Sequence, residues 1–480
     1  MTDQTGILSP DLARYQGRAD VVIVGGGAAG LCAALAARDA GADVMVLERD
    51  NAPTGTTALS IGFIPAAGSR GQRAAGIDDT PALMTDDIMA KNKGRADRNM
   101  VAHIARAAAP TVDWLADVHG VPLTFMIKDH YPGHSRPRMH GTPNRTGAEL
   151  MRALTAAATK SGARIATGHR ATHLFADADG RIHGVRATAG PATVDIAAGA
   201  VVLTCGGFAA NRAMMARHAP EIAPAIPFCH DGSQGDAVRW GQALGAALKD
   251  LDAYQSHGGL SAVGQVPIPW AHILRGGIQV NATGRRFSDE SRNYAERALD
   301  IIAQPGHFAW SIFDERIHAE LLTYEPYRTL LAAGGIVTAG NVNDLLTATG
   351  LPGALAETLR DVAAYVEGVT PDPLGRDFSG NPALTPPYRA VKVVGALYHT
   401  QGGLDVDPNG RVLASSGAAF PNLFAAGGAA RGISGPGGGG YLAGNGLLTA
   451  TVMGRLAGLA AAGFSGPEAA ARSQGETALM

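Results

Sequence analysis

Residues 20–48 read DVVIVGGGAAGLCAALAARDAGADVMVLE, and this stretch decides the fold class. A short apolar run precedes three glycines. An Ala- and Leu-rich segment with helical periodicity follows, and a second apolar run ends in a carboxylate. The pattern predicts a strand, a glycine turn, a helix and a second strand, as in a Rossmann-like domain. We therefore expect an α/β fold.

The glycine turn predicts a site for nucleotide phosphates. Gly25 permits a sharp turn, Gly27 lets the backbone approach a pyrophosphate, and Gly30 lets the helix pack closely on the strand. The helix N-terminus then presents unpaired N–H groups and a positive dipole end to the phosphates. Glu48 stands where an acidic side chain accepts hydrogen bonds from ribose hydroxyls and disfavours a 2′-phosphate. From this stretch alone, FAD, NAD and a plain Rossmann turn all remain open.

A second glycine-rich stretch, near the other end of the chain, decides between them. Residues 418–458 read AAFPNLFAAGGAARGISGPGGGGYLAGNGLLTATVMGRLAG. They predict a strand over NLFAAG, a long glycine loop and a helix that begins near Gly444. A second helix N-terminus so far along the chain suits a cofactor too long for one mononucleotide fold. The two ends of the chain together therefore predict FAD.

Length and composition exclude several other classes of protein. A chain of 480 residues exceeds what one core usually holds, so two domains or a large insertion are expected. Because 40 Lys+Arg are balanced by 42 Asp+Glu, no nucleic acid partner is expected, and a small molecule is. Cys32, Cys205 and Cys229 are too scattered for a disulfide framework or a metal motif. Without a leader pattern or a run of about 20 apolar residues, we expect a cytoplasmic protein with no membrane span.

Together these segments resemble the flavoprotein family of fumarate reductases, succinate dehydrogenase flavoprotein subunits and 3-ketosteroid dehydrogenases. The resemblance extends from about Asp20 to Gly458. Four further stretches carry it in the family's order: TGTTALSIGF (54–63), VVLTCGGFAAN (201–211), GGIQVNATGRRFSDE (276–290) and YHTQGGLDVD (398–407). Each alone could be an ordinary turn or hairpin, but the common order is hard to explain otherwise.

The resemblance implies cofactor contacts that are spread along the chain. Besides the glycines and the glutamate already named, they are Ala28, Ala29, Arg49, Thr56, Thr57, Ser60, Gly62, Gly206, Gly207, Asp236, His399, Gly427, Gly428, Gly444, Asn445 and Leu447. Some relatives attach FAD covalently in the region that corresponds to residues 54–63, and this region contains no histidine. We therefore expect FAD to be bound without a covalent bond.

Members of this family have an FAD domain interrupted by a cap domain that closes over the flavin. Here the resemblance implies an FAD-binding domain over residues 1–247 and 376–480, with an α+β cap over residues 248–375. In the cap, NVNDLLTATG and PGALAETLRDVAAYVEG have an apolar helical face and lack cofactor glycines. A continuous single domain is the alternative.

Some substrate positions of the fumarate reductases are retained. His257, in AYQSHGG, matches a substrate-binding histidine of that family. Arg275 matches an arginine of the family's proton relay, whose glutamate is matched here by His272. A buried dianion such as fumarate needs charge-assisted partners of this kind.

Three other positions are tyrosine where the fumarate reductases have a histidine or an arginine. Tyr398 in LYHTQGG replaces a histidine, Tyr441 in GYLAGN replaces the carboxylate-clamping arginine, and Tyr294 in ESRNYAER replaces the proton-donating arginine. Phenols serve a neutral carbonyl better than a dianion, and a phenolate accepts a proton. The ES-x-x-Y pattern that ends at Tyr294 resembles the ketosteroid dehydrogenases. Their general-base tyrosine follows the same RF-x-x-E turn, which is residues 286–290 here. The alternative for each tyrosine is an aromatic side chain packed in the core.

The resemblance thus implies an FAD-dependent dehydrogenase that desaturates a carbonyl compound, either a small alicyclic ketone or a ketosteroid-like ring. Tyr441 and N–H groups of residues 437–440 would hold the ketone oxygen. Tyr294 would remove the α hydrogen while the β hydrogen leaves as hydride to flavin N5. His257 and Tyr398 would orient the substrate.

A tyrosine with an ordinary pKa of about 10 is a poor base at neutral pH. Positive charge from Arg275, Arg292 or His272 would lower the pKa of the catalytic tyrosine. The basic loop HSRPRMHG, residues 134–141, could place His134, Arg136 and His140 toward the substrate pocket, but we expect a solvated loop.

Two other functions remain open. The first is an ene reductase that runs the same chemistry backwards on an unsaturated acid, with His257 and Arg275 as anion partners. The second is a flavin-binding protein without chemistry of its own, such as a sensor or an electron-transfer partner. The sequence does not identify the electron acceptor, and it predicts no metal site.

Overall fold

The computed structural model describes residues 5–292 and 294–464. Its strands, numbered in chain order, are β1 (Ile7–Leu8), β2 (Tyr15–Val24), β3 (Val44–Leu47), β4 (Ile64–Pro65), β5 (Thr124–Phe125), β6 (Met139–Gly141), β7 (Arg164–Ala166), β8 (His169–Ala176), β9 (Ile182–Ala189), β10 (Ala192–Leu203), β11 (Ile226–Pro227), β12 (Leu248–Lys249), β13 (Tyr254–Ser261), β14 (Ile278–Val280), β15 (Phe308–Asp314), β16 (Val337–Ala339), β17 (Tyr388–Thr400), β18 (Gly403–Leu404), β19 (Arg411–Leu413) and β20 (Ala419–Ala425).

The α-helices are α1 (Ala28–Asp39), α2 (Arg70–Ala74), α3 (Pro81–Lys91), α4 (Arg98–Asp117), α5 (Gly147–Lys160), α6 (Arg212–His218), α7 (Asp236–Ala243), α8 (Ala271–Leu274), α9 (Arg297–Ile302), α10 (Glu315–Leu321), α11 (Glu325–Ala332), α12 (Val342–Thr349), α13 (Ala354–Val366) and α14 (Asn445–Ala462). Within the described ranges, none of these helices is long and apolar enough to cross a membrane.

The described chain forms two compact units. The first comprises the described parts of Met1–Met214, Cys229–Tyr254 and His399–Met480, and the second those of Met215–Phe228 and Gln255–Tyr398. Because β17 pairs with β15 and β16, the second unit continues to Tyr398, whereas the sequence assigned residues 376–398 to the FAD-binding part. The role of the second unit as a substrate cap remains a proposal.

The main sheet of the first unit contains the predicted strand, turn, helix and strand as β2, α1 and β3. Its strands follow the order β1-β8-β9-β10-β2-β3-β7, and β20 also pairs with β10. Strands β10, β2, β3 and β7 are parallel, whereas β9 is antiparallel to β10. Residues 21–24 are all buried, as expected of a parallel strand covered on both faces.

Helix α14 packs tightly along α1 on this sheet. A Cβ atom at Gly454 would lie 2.3 Å from the carbonyl oxygen of Ala29, and one at Gly458 would lie 2.1 Å from that of Ala33. The glycines therefore allow the two backbones to come closer than side chains would permit. This packing places the N-terminal parts of the two predicted nucleotide helices in the same compact unit.

The second unit has a sheet with helices on both faces. Strand β17 lies between β11 and β15, β14 pairs with β15, and β13 and β16 also pair with β17. Adjacent residues of a strand point to opposite faces. Accordingly, Phe313 packs in one apolar cluster with Tyr327 of α11, and Ile312 packs in another with Leu355 of α13. The predicted helices in NVNDLLTATG and PGALAETLRDVAAYVEG are confirmed as α12 and α13.

A buried group of four charges holds the turn that precedes Tyr294. Glu290 is fully buried, and its carboxylate receives two hydrogen bonds of 2.8 Å from Arg286. Arg376 adds a contact of 3.3 Å to Glu290, and Asp372 pairs with Arg286 at 2.9 Å. Burial alone would raise the pKa of Glu290, but the guanidinium of Arg286 keeps it below its usual value. Since the two cations balance the two anions, the turn is fixed without net buried charge.

Candidate active site

The N-terminus of α1 has the form of a phosphate site. Its N-cap, Gly27, supplies no capping side chain, and a Cβ atom there would meet nothing within 4 Å. Gly25 has a φ of 105°, and a Cβ atom at Gly30 would lie 2.0 Å from the carbonyl oxygen of Gly25. Ala28 donates its N–H to Thr57 Oγ1 at 3.4 Å. The turn is therefore shaped by glycine, and open space lies beside the helix dipole.

Glu48 is fixed beside this turn at the end of β3. It is 6% exposed, and its Oε2 accepts the N–H of Gly26 at 2.8 Å while Oε1 accepts that of Asp50 at 2.9 Å. A carboxylate has about four acceptor positions, so it retains capacity for hydroxyl groups of a ligand. Arg49, which the resemblance also assigns to the cofactor, pairs with Asp50 at 3.1 Å.

The loop of residues 54–63 is held by its own hydroxyl groups. Ser60 Oγ donates to the carbonyl oxygen of Thr57 at 2.7 Å and accepts the N–H of Gly62 at 3.0 Å. Thr56 Oγ1 accepts the N–H of His230 at 3.0 Å. Gly62 has a φ of 74°, which a side chain would strain. The loop therefore has a defined conformation in the first unit.

The glycine positions after β10 and β20 make close backbone contacts. A Cβ atom at Gly207 would lie 1.9 Å from Thr400 Oγ1, and one at Gly428 would lie 2.7 Å from the Gly207 nitrogen. A Cβ atom at Gly427 would come within 3.0 Å of the Cβ of Ala29 in α1. These glycines therefore draw two loops and α1 together in the first unit.

The remaining predicted cofactor residues lie in the same unit. Gly206 has a φ of 78°, and Asp236 begins α7 and pairs with Arg239. Leu447 is half-buried in α14. None of these three observations by itself identifies a ligand contact, so their roles remain predictions.

The N-terminus of α14 is a second helix end whose N-cap residue has no side chain. Its N-cap, Gly444, has a φ of 85° and makes no side-chain capping bond. Asn445 is fully buried, and its Nδ2 donates to Ser434 Oγ at 3.4 Å. Its Oδ1 has no hydrogen-bond partner among the residues that the structure describes. Two helix N-termini with glycine N-caps and a buried acceptor without a described partner, all in one unit, fit a long dinucleotide such as FAD.

His399 and Tyr441 lie together at the start of α14. Their ring centroids are 5.7 Å apart, and Tyr441 Oη accepts the N–H of Gly446 at 3.3 Å. His399 Nδ1 lies 3.0 Å from Nε2 of Gln401. Burial lowers the pKa of His399 to about 4, so the ring is neutral at neutral pH. This pair belongs to the first unit.

A cluster of four rings occupies the second unit and contains three of the predicted substrate residues. The ring of His257 stacks on that of Tyr398, with the ring centroids 5.3 Å apart and an interplanar angle of 10°. The centroid of the Tyr294 ring lies 4.9 Å from that of His257. Trp270 packs edge-on against His257 at 5.6 Å and lies 6.2 Å from Tyr294. We refer to His257, Trp270, Tyr294 and Tyr398 as the aromatic cluster. Trp270 was not predicted, because a single tryptophan in a loop has no motif that indicates a site.

Three members of the aromatic cluster, His257, Trp270 and Tyr398, are uncharged, and two of them carry buried donors without a described partner. The N–H of Gly259 donates to His257 Nδ1 at 2.9 Å, so a neutral ring carries its proton on Nε2. Burial lowers the pKa of His257 to about 3, with a smaller contribution from His272. The Tyr398 hydroxyl and the Trp270 indole nitrogen are buried without hydrogen-bond partners among the described residues. Burial also raises the pKa of Tyr398.

The backbone fixes Tyr294 to the strand that carries His257. The carbonyl oxygen of Tyr294 accepts N–H groups from Gly258 and from Arg297, each at 3.2 Å. The carbonyl oxygen of Gly258 in turn accepts a hydrogen bond of 2.8 Å from Gln279 Nε2. Sequence reasoning missed Gln279 and Arg297, because their importance comes from contacts between separate segments.

The three groups expected to place positive charge near Tyr294 are paired, exposed or neutral. Arg275 pairs with Glu320 at 3.0 Å and is 38% exposed, and Arg292 is 67% exposed beside Asp289. His272 Nδ1 lies 2.9 Å from the carbonyl oxygen of Pro269. Burial lowers the pKa of His272 to about 4, so the expectation of positive charge at this ring is wrong.

The loop HSRPRMHG is folded into the first unit, so the expectation of a solvated loop is wrong. His134 and His140 are 5% and 3% exposed. His134 Nε2 lies 2.9 Å from the carbonyl oxygen of Ala443, in the loop before α14. Arg138 is buried and pairs with Asp79 at 2.7 Å. The ion pair and the carbonyl contact offset the cost of burying these polar side chains. Arg136, by contrast, is at the surface, where it donates to the carbonyl oxygen of Asp78.

We expect the neutral histidines to make stability depend on pH. The folded pKa is about 3 for His257 and about 4 for His272 and His399, against about 6.5 in an unfolded chain. Between these values the unfolded chain binds more protons, so the free energy of unfolding decreases as pH falls below about 6.5. Each ring contributes up to about 1.4 kcal/mol per pH unit.

Urea unfolding at several pH values between about 7 and 5 measures this dependence. The His272→Gln variant should show a shallower slope, because one titrating group is removed. An unfolding free energy that stays constant over this range would contradict the neutral state of the rings.

A Rossmann-like unit with two helix N-termini capped by glycine and a fixed carboxylate indicates a dinucleotide-binding flavoprotein. A family model described as "FAD binding domain" matches residues 20–447, and the chain belongs to this family. The predicted cofactor, FAD, is thereby confirmed, and the protein is an FAD-dependent oxidoreductase. Among the described residues, no group of three or more His, Cys, Asp or Glu side chains could hold a metal ion.

Relatives with assigned activities agree with this placement. The chain is 30% identical over 450 residues to a fumarate reductase (cytochrome) of Shewanella frigidimarina, covering 93% of this chain and 77% of that protein. It is 27% identical over 517 residues to a 4-oxocyclohexanecarboxylate 2-dehydrogenase of Sinomonas cyclohexanicum, with coverages of 85% and 87%.

Among solved structures, the chain is similar to a 3-ketosteroid-Δ4-(5α)-dehydrogenase of Rhodococcus jostii RHA1 in complex with 4-androstene-3,17-dione. The TM-score is 0.72 and the identity 29%, over 95% of this chain and 99% of that chain. These similarities confirm both the predicted fold class and the family resemblance.

Proposed function

We propose that the protein catalyses the α,β-dehydrogenation of a carbonyl compound, a small alicyclic ketone or a ketosteroid-like ring. The observation that carries this proposal is the aromatic cluster, in which Tyr294 lies 4.9 Å from the neutral ring of His257. The names of two similar proteins, a 4-oxocyclohexanecarboxylate 2-dehydrogenase and a 3-ketosteroid dehydrogenase, support the same substrate class.

Hydrogen removal requires a base and a donor to the carbonyl oxygen. In this proposal Tyr294 Oη takes the proton from the α carbon, so that the C–H electrons become available for the new C=C bond. Tyr441 donates to the ketone oxygen, which acidifies the α hydrogen and stabilises the developing enolate. When bound, FAD supplies the acceptor for the β hydrogen and its two electrons.

Residues of the first unit would hold the cofactor without a covalent bond. The N-termini of α1 and α14, each with a glycine N-cap, would receive the phosphates and the flavin end, and Glu48 would receive the ribose hydroxyls.

Among the described residues, Arg297 offers a buried positive charge linked to Tyr294 through the backbone. Its guanidinium is 1% exposed and pairs with Asp300 at 2.5 Å. We assign to Arg297 the role of favouring the phenolate that the sequence assigned to Arg275, Arg292 or His272.

Reduction of an unsaturated acid is less well supported as the function. It would need His257 and Arg275 as partners of a carboxylate. His257 is neutral, since burial lowers its pKa to about 3, and Arg275 pairs with Glu320. A buried carboxylate without a positive partner is unfavourable.

Two anaerobic half-reactions separate these functions. The oxidised FAD-loaded protein is mixed with cyclohexanones, oxocyclohexane acids or 3-ketosteroids, and the chemically reduced protein with fumarate or related acids. Bleaching of the flavin absorbance by a ketone is the expected result. Reoxidation by an unsaturated acid, without bleaching by any ketone, would favour the reductase instead. An unchanged spectrum in both mixtures would favour a flavin-binding protein without chemistry of its own.

A further inference from the structure

The aromatic cluster contains two buried donors that the described protein does not satisfy. The Trp270 indole nitrogen and the Tyr398 hydroxyl have no hydrogen-bond partner among residues 5–292 and 294–464. Trp270 is 1% exposed. Burial of a donor without an acceptor is unfavourable, and such groups in native structures commonly meet a ligand or an ordered water. Each of these two donors is therefore available to an acceptor atom.

The rings that carry these two donors both pack against the imidazole of His257, which carries a third donor. Trp270 packs edge-on against His257 at 5.6 Å, and Tyr398 stacks on the same imidazole at 5.3 Å. Because the N–H of Gly259 occupies His257 Nδ1, the neutral ring presents an N–H at Nε2. The next ring, His272, is already engaged, with Nδ1 2.9 Å from the Pro269 carbonyl oxygen and Nε2 3.1 Å from Ser311 Oγ.

All three donors are uncharged. An indole N–H, a phenol O–H and a neutral imidazole N–H can each donate to the oxygen of a ketone or an ester. A carboxylate would lose its hydration at the same place without gaining a positive partner, and this cost is much larger than that of burying a carbonyl group. The chemistry of the donors therefore favours an uncharged oxygen.

We propose that Trp270, Tyr398 and His257 form a subsite for a second, uncharged oxygen of the substrate, so that the protein prefers a diketone or keto ester to a keto acid. The proposal rests on the proposed function, because the subsite is assigned to the substrate of that reaction. Trp270 thereby becomes a specificity-determining residue.

Calorimetric titration of the FAD-loaded protein tests this subsite by binding alone. The titrations use the Tyr294→Phe variant under anaerobic conditions without an electron acceptor, so that at most one turnover can occur. The probes are cyclohexane-1,4-dione, methyl 4-oxocyclohexanecarboxylate, 4-oxocyclohexanecarboxylate and cyclohexanone. We expect the dione and the ester to bind at least about tenfold more tightly than the acid.

Removing a single donor should weaken only the probes that have a second uncharged oxygen. When Tyr398→Phe or Trp270→Phe is added to the Tyr294→Phe variant, dione binding should weaken about three- to tenfold. Cyclohexanone binding should stay unchanged. Tyr327→Phe is the matched control, because this buried phenol lies in the same unit and is bonded to His318 Nδ1 at 2.7 Å. It should leave the affinity for every probe unchanged.

Two results would overturn the subsite. One is an acid that binds as tightly as its methyl ester. The other is unchanged dione affinity in both donor variants, which would mean that water satisfies the two donors. Should Trp270→Phe fold poorly, Tyr398→Phe still decides, because it removes only a hydroxyl group. If no ketone reduces the flavin of the unmodified protein, the proposed function fails, whereas the binding preference remains a separate measurement.

Discussion

Tyr294→Phe should abolish reduction of the flavin by a cyclic ketone while the protein keeps its FAD. The substitution removes only the phenol oxygen, so the ring can retain its packing 4.9 Å from His257 and 6.2 Å from Trp270. The backbone bonds from Gly258 and Arg297 to the Tyr294 carbonyl oxygen are also unaffected. General-base catalysis is typically worth about 10²–10⁴-fold, and a loss in this range is expected.

Anaerobic stopped-flow measurement of flavin bleaching gives the rate, and the absorbance spectrum of the purified variant gives its FAD content. The Tyr327→Phe variant serves as control, since it removes a buried phenol from the same unit outside the aromatic cluster. Bleaching at the wild-type rate in Tyr294→Phe would show that another group removes the proton. Loss of FAD from this variant would instead indicate a structural role.

Arg297 offers a way to examine how the phenolate is favoured. Its side chain is buried, and Nε and Nη2 have no hydrogen-bond partner among the described residues. Because a nearby positive charge stabilises a phenolate, the pH profile of flavin bleaching reports on the charge around Tyr294. That profile gives the pKa of the group that must be deprotonated for bleaching.

The parts of this molecule that depend on local spacing could be predicted from the sequence. Residues 20–48 and 418–458 each contain a strand, a glycine turn and a helix within one short segment, and both appear as expected in β2, α1, β3, β20 and α14. The order of apolar residues and glycines is sufficient there, because the elements are neighbours along the chain.

The surroundings of the site could not be predicted in the same way. Trp270 joins His257 and Tyr398 only because separate segments of the second unit pack together. The charges of the loop HSRPRMHG predict a solvated loop. Arg138 is nevertheless buried, because Asp79 from a distant segment pairs with it. Composition reports charge, whereas burial depends on partners that are remote in sequence.

The charge state of the rings also depends on tertiary structure. From the sequence, His272 is a candidate source of positive charge near a catalytic tyrosine. Its two ring nitrogens instead face the carbonyl oxygen of Pro269 and the hydroxyl of Ser311. Desolvation then keeps the ring neutral, since burial lowers its pKa to about 4. A histidine in a sequence therefore specifies a titratable group but not its charge.

Tyr441→Phe should lower the rate of flavin bleaching by a ketone about 10²–10³-fold without loss of FAD. The hydroxyl oxygen of Tyr441 is held at the start of α14 by the Gly446 N–H at 3.3 Å, and its ring lies 5.7 Å from His399. A donor fixed in this way stabilises an enolate more than it stabilises the ground-state ketone, so the loss should fall on the rate rather than on affinity. Tyr15→Phe, at an exposed position of the first unit, is the control. Weaker ketone binding with an unchanged limiting rate would mean that Tyr441 contributes uniform binding only.

If Tyr294→Phe and Tyr441→Phe both slow bleaching, the double variant separates their roles. If the two tyrosines act as a coupled unit, the losses in free energy should not add, whereas additive losses would mean that each tyrosine contributes independently.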